Sequence, residues 1–86
     1  MDKKEVFAKN QQLSTEFELY LLDHPELERE IPNNALIVLL PEYDAELSKT
    51  NLEIAERNRE EKQPVVYVRV HRLRKSRIEG LELKVA

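Results

Sequence analysis

The sequence predicts a small α/β (α+β) domain of order α-α-β-α-β-β, with helices packed on a three-stranded mixed sheet and residues 1–86 forming a single domain. Three observations carry this. Ala35-Leu-Ile-Val-Leu-Leu40 is an unbroken apolar run without alternation, as in a strand buried on both faces. A charged helical stretch leads from it to a second strand beginning at Val65, and strand–helix–strand is the signature of a parallel pair with a right-handed crossover. From Val65 to Leu73 apolar residues alternate with polar ones, and Leu81, Leu83 and Val85 repeat the alternation, which predicts an antiparallel hairpin.

Taken in order, Lys3 to Leu22 reads as the first helix. Val6, Phe7, Leu13, Phe17, Tyr20 and Leu21 share one side at helical spacing. Leu19 and Leu22 fall off that stripe and are expected to pack on the next segment, with a subunit contact as the alternative. Asp23-His24-Pro25 ends the helix, because a proline disfavours helical geometry in the residue before it. Pro25 also suits the first position of a short second helix running through Glu30, capped by Asp23 or His24. Pro32-Asn33-Asn34 is turn chemistry. The first strand is Ala35–Leu40 and stops at Pro41. Asp44 is a suitable N-cap, and Glu42, Asp44 and Glu46 suit the positive end of a helix spanning about Asp44 to Lys62. Leu47, Asn51, Ile54 and Asn58 form its inward stripe, with the two asparagines expected at the solvent boundary.

The hairpin register follows from matching partners. With Lys75 and Ser76 as central turn residues, Val70 faces Leu81, Val68 faces Leu83 and Val66 faces Val85. Arg69 then meets Glu82, Arg72 meets Glu79, and Leu73 meets Ile78. Apolar and opposite-charge pairs coincide in one register, as cross-strand pairing requires. Gly80 is a candidate bulge.

Composition narrows the function. There is no cysteine, hence no disulfide framework and no thiolate chemistry. The charged N-terminal segment lacks a signal-peptide core, and the longest apolar run is far below the roughly 20 residues that span a bilayer; a cytoplasmic location is expected. Glycine-rich phosphate loops, His-Glu-x-x-His and serine-elbow patterns are absent from the sequence, and no cofactor is predicted. Charge is uneven. Five of the fourteen basic residues lie between Arg69 and Arg77, leaving nine to face seventeen acids elsewhere. A basic spot on an acidic body steers partners better than net charge does.

Ile31-Pro-Asn-Asn-Ala-Leu-Ile-Val-Leu-Leu40, Leu52-Glu-Ile-Ala-Glu-Arg57, Gln63-Pro-Val-Val-Tyr-Val-Arg69 and Ser76-Arg-Ile-Glu-Gly-Leu81 resemble a family of small uncharacterised prokaryotic proteins. The resemblance covers most of the chain, lies in strand and helix segments, and implies a fold but no catalytic motif.

Two constellations remain. Ligands of open parallel sheets favour the carboxyl ends of the strands. The first strand there leads into Glu42-Tyr43-Asp44 and the second ends at His71-Arg72. Glu42, Asp44 and His71 are therefore the catalytic candidates, for acid–base chemistry or a divalent ion; the plain alternative is a helix cap and a surface ion pair. Glu82-Leu83-Lys84 has a Glu-x-Lys form without its wider context. The binding candidates are Tyr67, Arg69, Arg72, Arg74, Lys75 and Arg77. If Glu82 and Glu79 neutralise Arg69 and Arg72, only Arg74, Lys75 and Arg77 stay free. The leading expectation is a non-enzymatic protein-interaction module, homodimeric because thin cores and exposed sheet edges favour partners. The alternative is nucleic-acid binding through the same basic hairpin, and the third reading is a small metal-dependent hydrolase.

Overall fold

The chain runs α1 (Lys3–Asp23), α2 (Pro25–Glu28), β1 (Leu36–Pro41), α3 (Ala45–Asn58), β2 (Val65–Arg74) and β3 (Arg77–Val85), the predicted order. The structure is a computed structural model that describes residues 1–74 and 77–86. The expected turn at Lys75-Ser76 lies outside the described residues. The strands form one sheet in the order β1-β2-β3, parallel between the first two and antiparallel between the last two.

The alternation of β2 decides where the core sits. Val66, Val68 and Val70 are fully buried and share a cluster with Leu39 of β1, Leu13 and Phe17 of α1, and Ile78 of β3. Burying each such side chain contributes about 1.5–3 kcal/mol, so α1 is held by this face of the sheet more than by its own amphipathicity. On the reverse face Val38 and Val65 are also buried, where α3 runs along β1. The two helices thus divide the cover that the apolar first strand requires, and the reverse face of β2 and β3 carries Tyr67, Arg69, His71, Glu82 and Lys84.

The stripe read for α1 is narrower than expected. Leu13 and Phe17 are buried, but Phe7 is 68% exposed, because it lies a helical turn and a half before the sheet contact begins. Leu22 is 76% exposed, so it does not pack on the following segment as expected. Glu16, on the covered side of α1, is only 6% exposed, and its Oε2 has no hydrogen-bond partner among the described residues. His24 joins α1 to α2: its ring stacks on Tyr20 at 4.0 Å, and Nδ1 lies 2.9 Å from the Tyr20 carbonyl.

Helix α3 begins at the predicted cap, with the Asp44 carboxylate accepting from the Leu47 N–H at 3.1 Å. It ends at Asn58, four residues short of the expectation. The Gln63 side chain explains the early stop: its Oε1 accepts from the Glu60 N–H and its Nε2 donates to the Asn34 carbonyl. Lys62 takes a positive φ of 63° in the return, a geometry helices exclude.

Asn51 does not sit at the solvent boundary. It is buried, 7% exposed, and makes a reciprocal amide pair with Asn10 of α1 at 2.8 and 2.9 Å. Its Nδ2 also donates to the Leu39 carbonyl at 2.8 Å. The Leu36 and Glu42 N–H groups donate to Pro64 and Val70, so by alternation Ile37, Leu39 and Pro41 turn their backbones to the outer edge of β1. Ser48 Oγ donates to the Pro41 carbonyl at 2.7 Å, and Pro41 has no N–H to satisfy. Helix α3 therefore blocks the outer edge of β1 with two side chains.

In the hairpin, Val66, Val68, Arg69, Val70 and Leu73 have the predicted partners: Val85, Leu83, Glu82, Leu81 and Ile78. One pair differs. Arg72 faces Gly80 in place of Glu79, because His71 is an extra residue on β2 and Glu79 an extra residue on β3. The two one-residue bulges compensate, so the faces come back into phase by Leu73.

Candidate functional site

The carboxyl ends of β1 and β2 lie side by side, with Pro41 opposite Val70. This puts Glu42, the first residue past β1, beside the bulged His71. His71 Nδ1 hydrogen-bonds Glu42 Oε1, and its Nε2 lies 3.4 Å from Glu82 Oε1. Arg69 Nη1 stands 3.8 Å from the other Glu42 oxygen. An imidazole thus lies between two carboxylates from different segments, with a guanidinium alongside. The hydrogen bond from His71, supported by Arg69, holds the Glu42 carboxyl below its ordinary range.

The catalytic candidates are only partly assembled. Glu42 and His71 meet as the strand ends required. Asp44 turns the other way: it caps α3 and accepts from Lys9 Nζ at 2.9 Å. The Lys9 ammonium, and then the Leu47 N–H, hold its carboxyl below the usual value. Tyr43 is half exposed, and partial burial pushes its phenol up. No group of three or more His, Asp or Glu among the described residues is arranged to hold a metal ion. The His71 side chain is 37% exposed, Glu42 41% and Glu82 58%. This is an open ion-pair network that fastens the end of β1 to the hairpin.

The binding candidates divide. Tyr67 stands between two shallow grooves on the reverse face, one reaching to the end of α3 and the other bounded by Leu40, Arg69, Glu82 and Lys84. Arg69 finds its carboxylate in Glu42, although Glu82 is its register partner. Farther out, Arg72 and Arg74 converge on one acid: Arg72 Nε is 3.5 Å from Glu79 Oε1, and Arg74 Nε donates to Glu79 Oε2 at 2.8 Å. Arg74 is thus not free: the bulge brings Glu79 within reach of both arginines. Arg74, with help from Arg72, holds the Glu79 carboxyl below its ordinary value, and Glu79 raises the Arg74 guanidinium. Lys75 lies outside the described residues, as does the side chain of Arg77.

Sequence reasoning missed Glu82 as a partner of His71, although the register already placed it two residues away on the same face. It also missed the Asn10–Asn51 pair, for which no local signal exists. No helix among the described residues is long and apolar enough to cross a membrane.

A family model described as a family of unknown function (DUF5647) matches residues 5–81. No curated protein and no solved structure matches the chain.

Proposed function

The chain belongs to this family of unknown function, and we propose from its geometry that it is a small non-enzymatic protein-interaction module, cytoplasmic and homodimeric, that binds an acidic protein partner through its arginine-rich hairpin. The observation that carries the reading is the sharing of Glu79. Two guanidiniums, with side chains 72% and 73% exposed, meet one carboxylate that is itself 29% exposed. Each arginine offers five N–H donors, so most donors at this end of the hairpin remain available and the local charge stays positive. A second carboxylate supplied by a partner would complete the pairing, and electrostatic complementarity of this kind sets partner choice and encounter rate. Glu79 and Glu82 on the ribbon, with Glu42 beside it, favour a protein with discrete acids over a continuous phosphate backbone.

The test is a titration of the full chain with a glutamate-rich peptide and, separately, with duplex DNA, each across a salt series. We expect peptide binding that Arg74→Glu with Arg77→Glu removes. No peptide binding, or peptide binding indifferent to both charge reversals, overturns the reading. Duplex binding with a steep salt dependence, lost in the same variant, assigns the hairpin to nucleic acid.

A further inference from the structure

The two edges of the sheet are built differently. The outer edge of β1 is closed by Ser48, Asn51 and Pro41. The outer edge of β3 carries no proline between Arg77 and Val85, and β3 is the last strand of the sheet among the described residues. The Ala86 N–H donates to the Val65 carbonyl at 2.9 Å. With the register of the hairpin, this makes Tyr67–Lys84 and Arg69–Glu82 the hydrogen-bonded pairs, and turns the backbone groups of Leu81, Leu83 and Val85 outward. Among the described residues no side chain hydrogen-bonds to this row, and such a row is a template for another strand.

We infer that the outer edge of β3 pairs with the same edge of a second copy of this chain, antiparallel about a two-fold axis at Leu83, joining the two sheets into one. Charge selects the register. An antiparallel pairing that keeps each face continuous must centre on a residue. Centring on Glu82 or Lys84 sets like charges directly opposite each other, which is destabilising. Centring on Leu81 runs into the bulge at Gly80. Centring on Leu83 sets Glu82 opposite the second copy's Lys84, twice by symmetry. It also sets Leu81 opposite the second copy's Val85 on the core side, and covers Val85, which is 47% exposed in the single chain. The outward backbone groups of Leu81, Leu83 and Val85 then pair with their counterparts.

The inference rests on the homodimer part of the proposed function and is independent of what the arginines bind. It is tested by sedimentation equilibrium at low ionic strength, with thermal melting to confirm folding. The wild-type chain sediments at twice the chain mass. Glu82→Lys and Lys84→Glu each weaken the dimer, by about tenfold or more, since both symmetric pairs become repulsive. A mixture of the two single variants associates again, because every pair across the mixed interface is then opposite in sign. The double exchange also dimerises, which separates the interface effect from the loss of the Glu82–His71 contact. Val85→Pro removes an outward N–H, leaves the β2–β3 bonds in place, and abolishes dimerisation of a folded chain. A wild-type monomer at every concentration overturns both this inference and the homodimer reading. A dimer indifferent to the single exchanges and to the proline overturns this interface alone.

Discussion

The ring of His71 lies across Gly80: a β-carbon added at residue 80 would stand 2.8 Å from His71 Cδ2. The chain's one glycine is therefore not required by its backbone, since its φ is not positive. It makes room for the bulged imidazole that Glu42 and Glu82 hold from either side.

Gly80→Ala is accordingly expected to destabilise the fold by about 1–2 kcal/mol, the cost of overpacking. In a His71→Ala background the same substitution becomes neutral or stabilising by about 0.5 kcal/mol, as for alanine at an unstrained site. A double-mutant cycle by urea denaturation measures the coupling; additive effects would separate the two residues.

The Asn51 amide ties α1, α3 and β1 together. Asn51→Leu leaves the Asn10 amide and the Leu39 carbonyl without this partner and is expected to cost about 2 kcal/mol. Asn58→Ala, at an exposed position on the same helix, changes stability by less than about 0.5 kcal/mol. Equal effects in chemical denaturation would contradict the burial difference.

Glu16 places a carboxyl oxygen without a hydrogen-bond partner among the described residues against the core. A buried polar group without a partner costs its desolvation, so Glu16→Leu is expected to leave the melting temperature unchanged or raise it. A drop of several degrees would mean that the Glu16 carboxyl group holds the fold.

Glu42, Asp44 and Glu79 all have carboxyls held below their ordinary values by neighbouring cations and N–H groups. Such groups bind fewer protons folded than unfolded. Their contribution is present above the unfolded carboxylate range near about pH 4 and is lost as pH falls through the folded values. Stability by urea midpoint should therefore decline as pH falls below the unfolded carboxylate range near about pH 4, and go on declining through the folded values. Asp44→Asn keeps a competent helix cap while removing the charge, and should show a shallower acid limb. Parallel limbs would exclude Asp44 as a contributor.

Much of the fold was legible because it rests on local periodicity. The alternation of Val66, Val68 and Val70 against Leu81, Leu83 and Val85 specifies face and register together, since a one-residue slip exposes every valine. The unalternating run at Leu36–Leu40 and the cap at Asp44 mark the parallel crossover in the same way. Of the candidate site, the meeting of Glu42 with His71 was legible from topology. The departure of Asp44 toward Lys9 was not, because it depends on where α1 docks.

The sequence by itself determined the order of elements, the hairpin pairing and the uneven charge, all set by spacing along the chain. Only the tertiary structure decided that Asn51 is buried and that His71 lies between Glu42 and Glu82. It alone decided that two arginines share Glu79 and that α3 closes the outer edge of β1. These depend on partners up to 41 residues apart, and on a pair of bulges that appears only once both strands are in register. A polar residue on a helix carries no mark of whether its partner will be water or a distant amide; packing supplies that partner, and with it the energetic meaning of the residue.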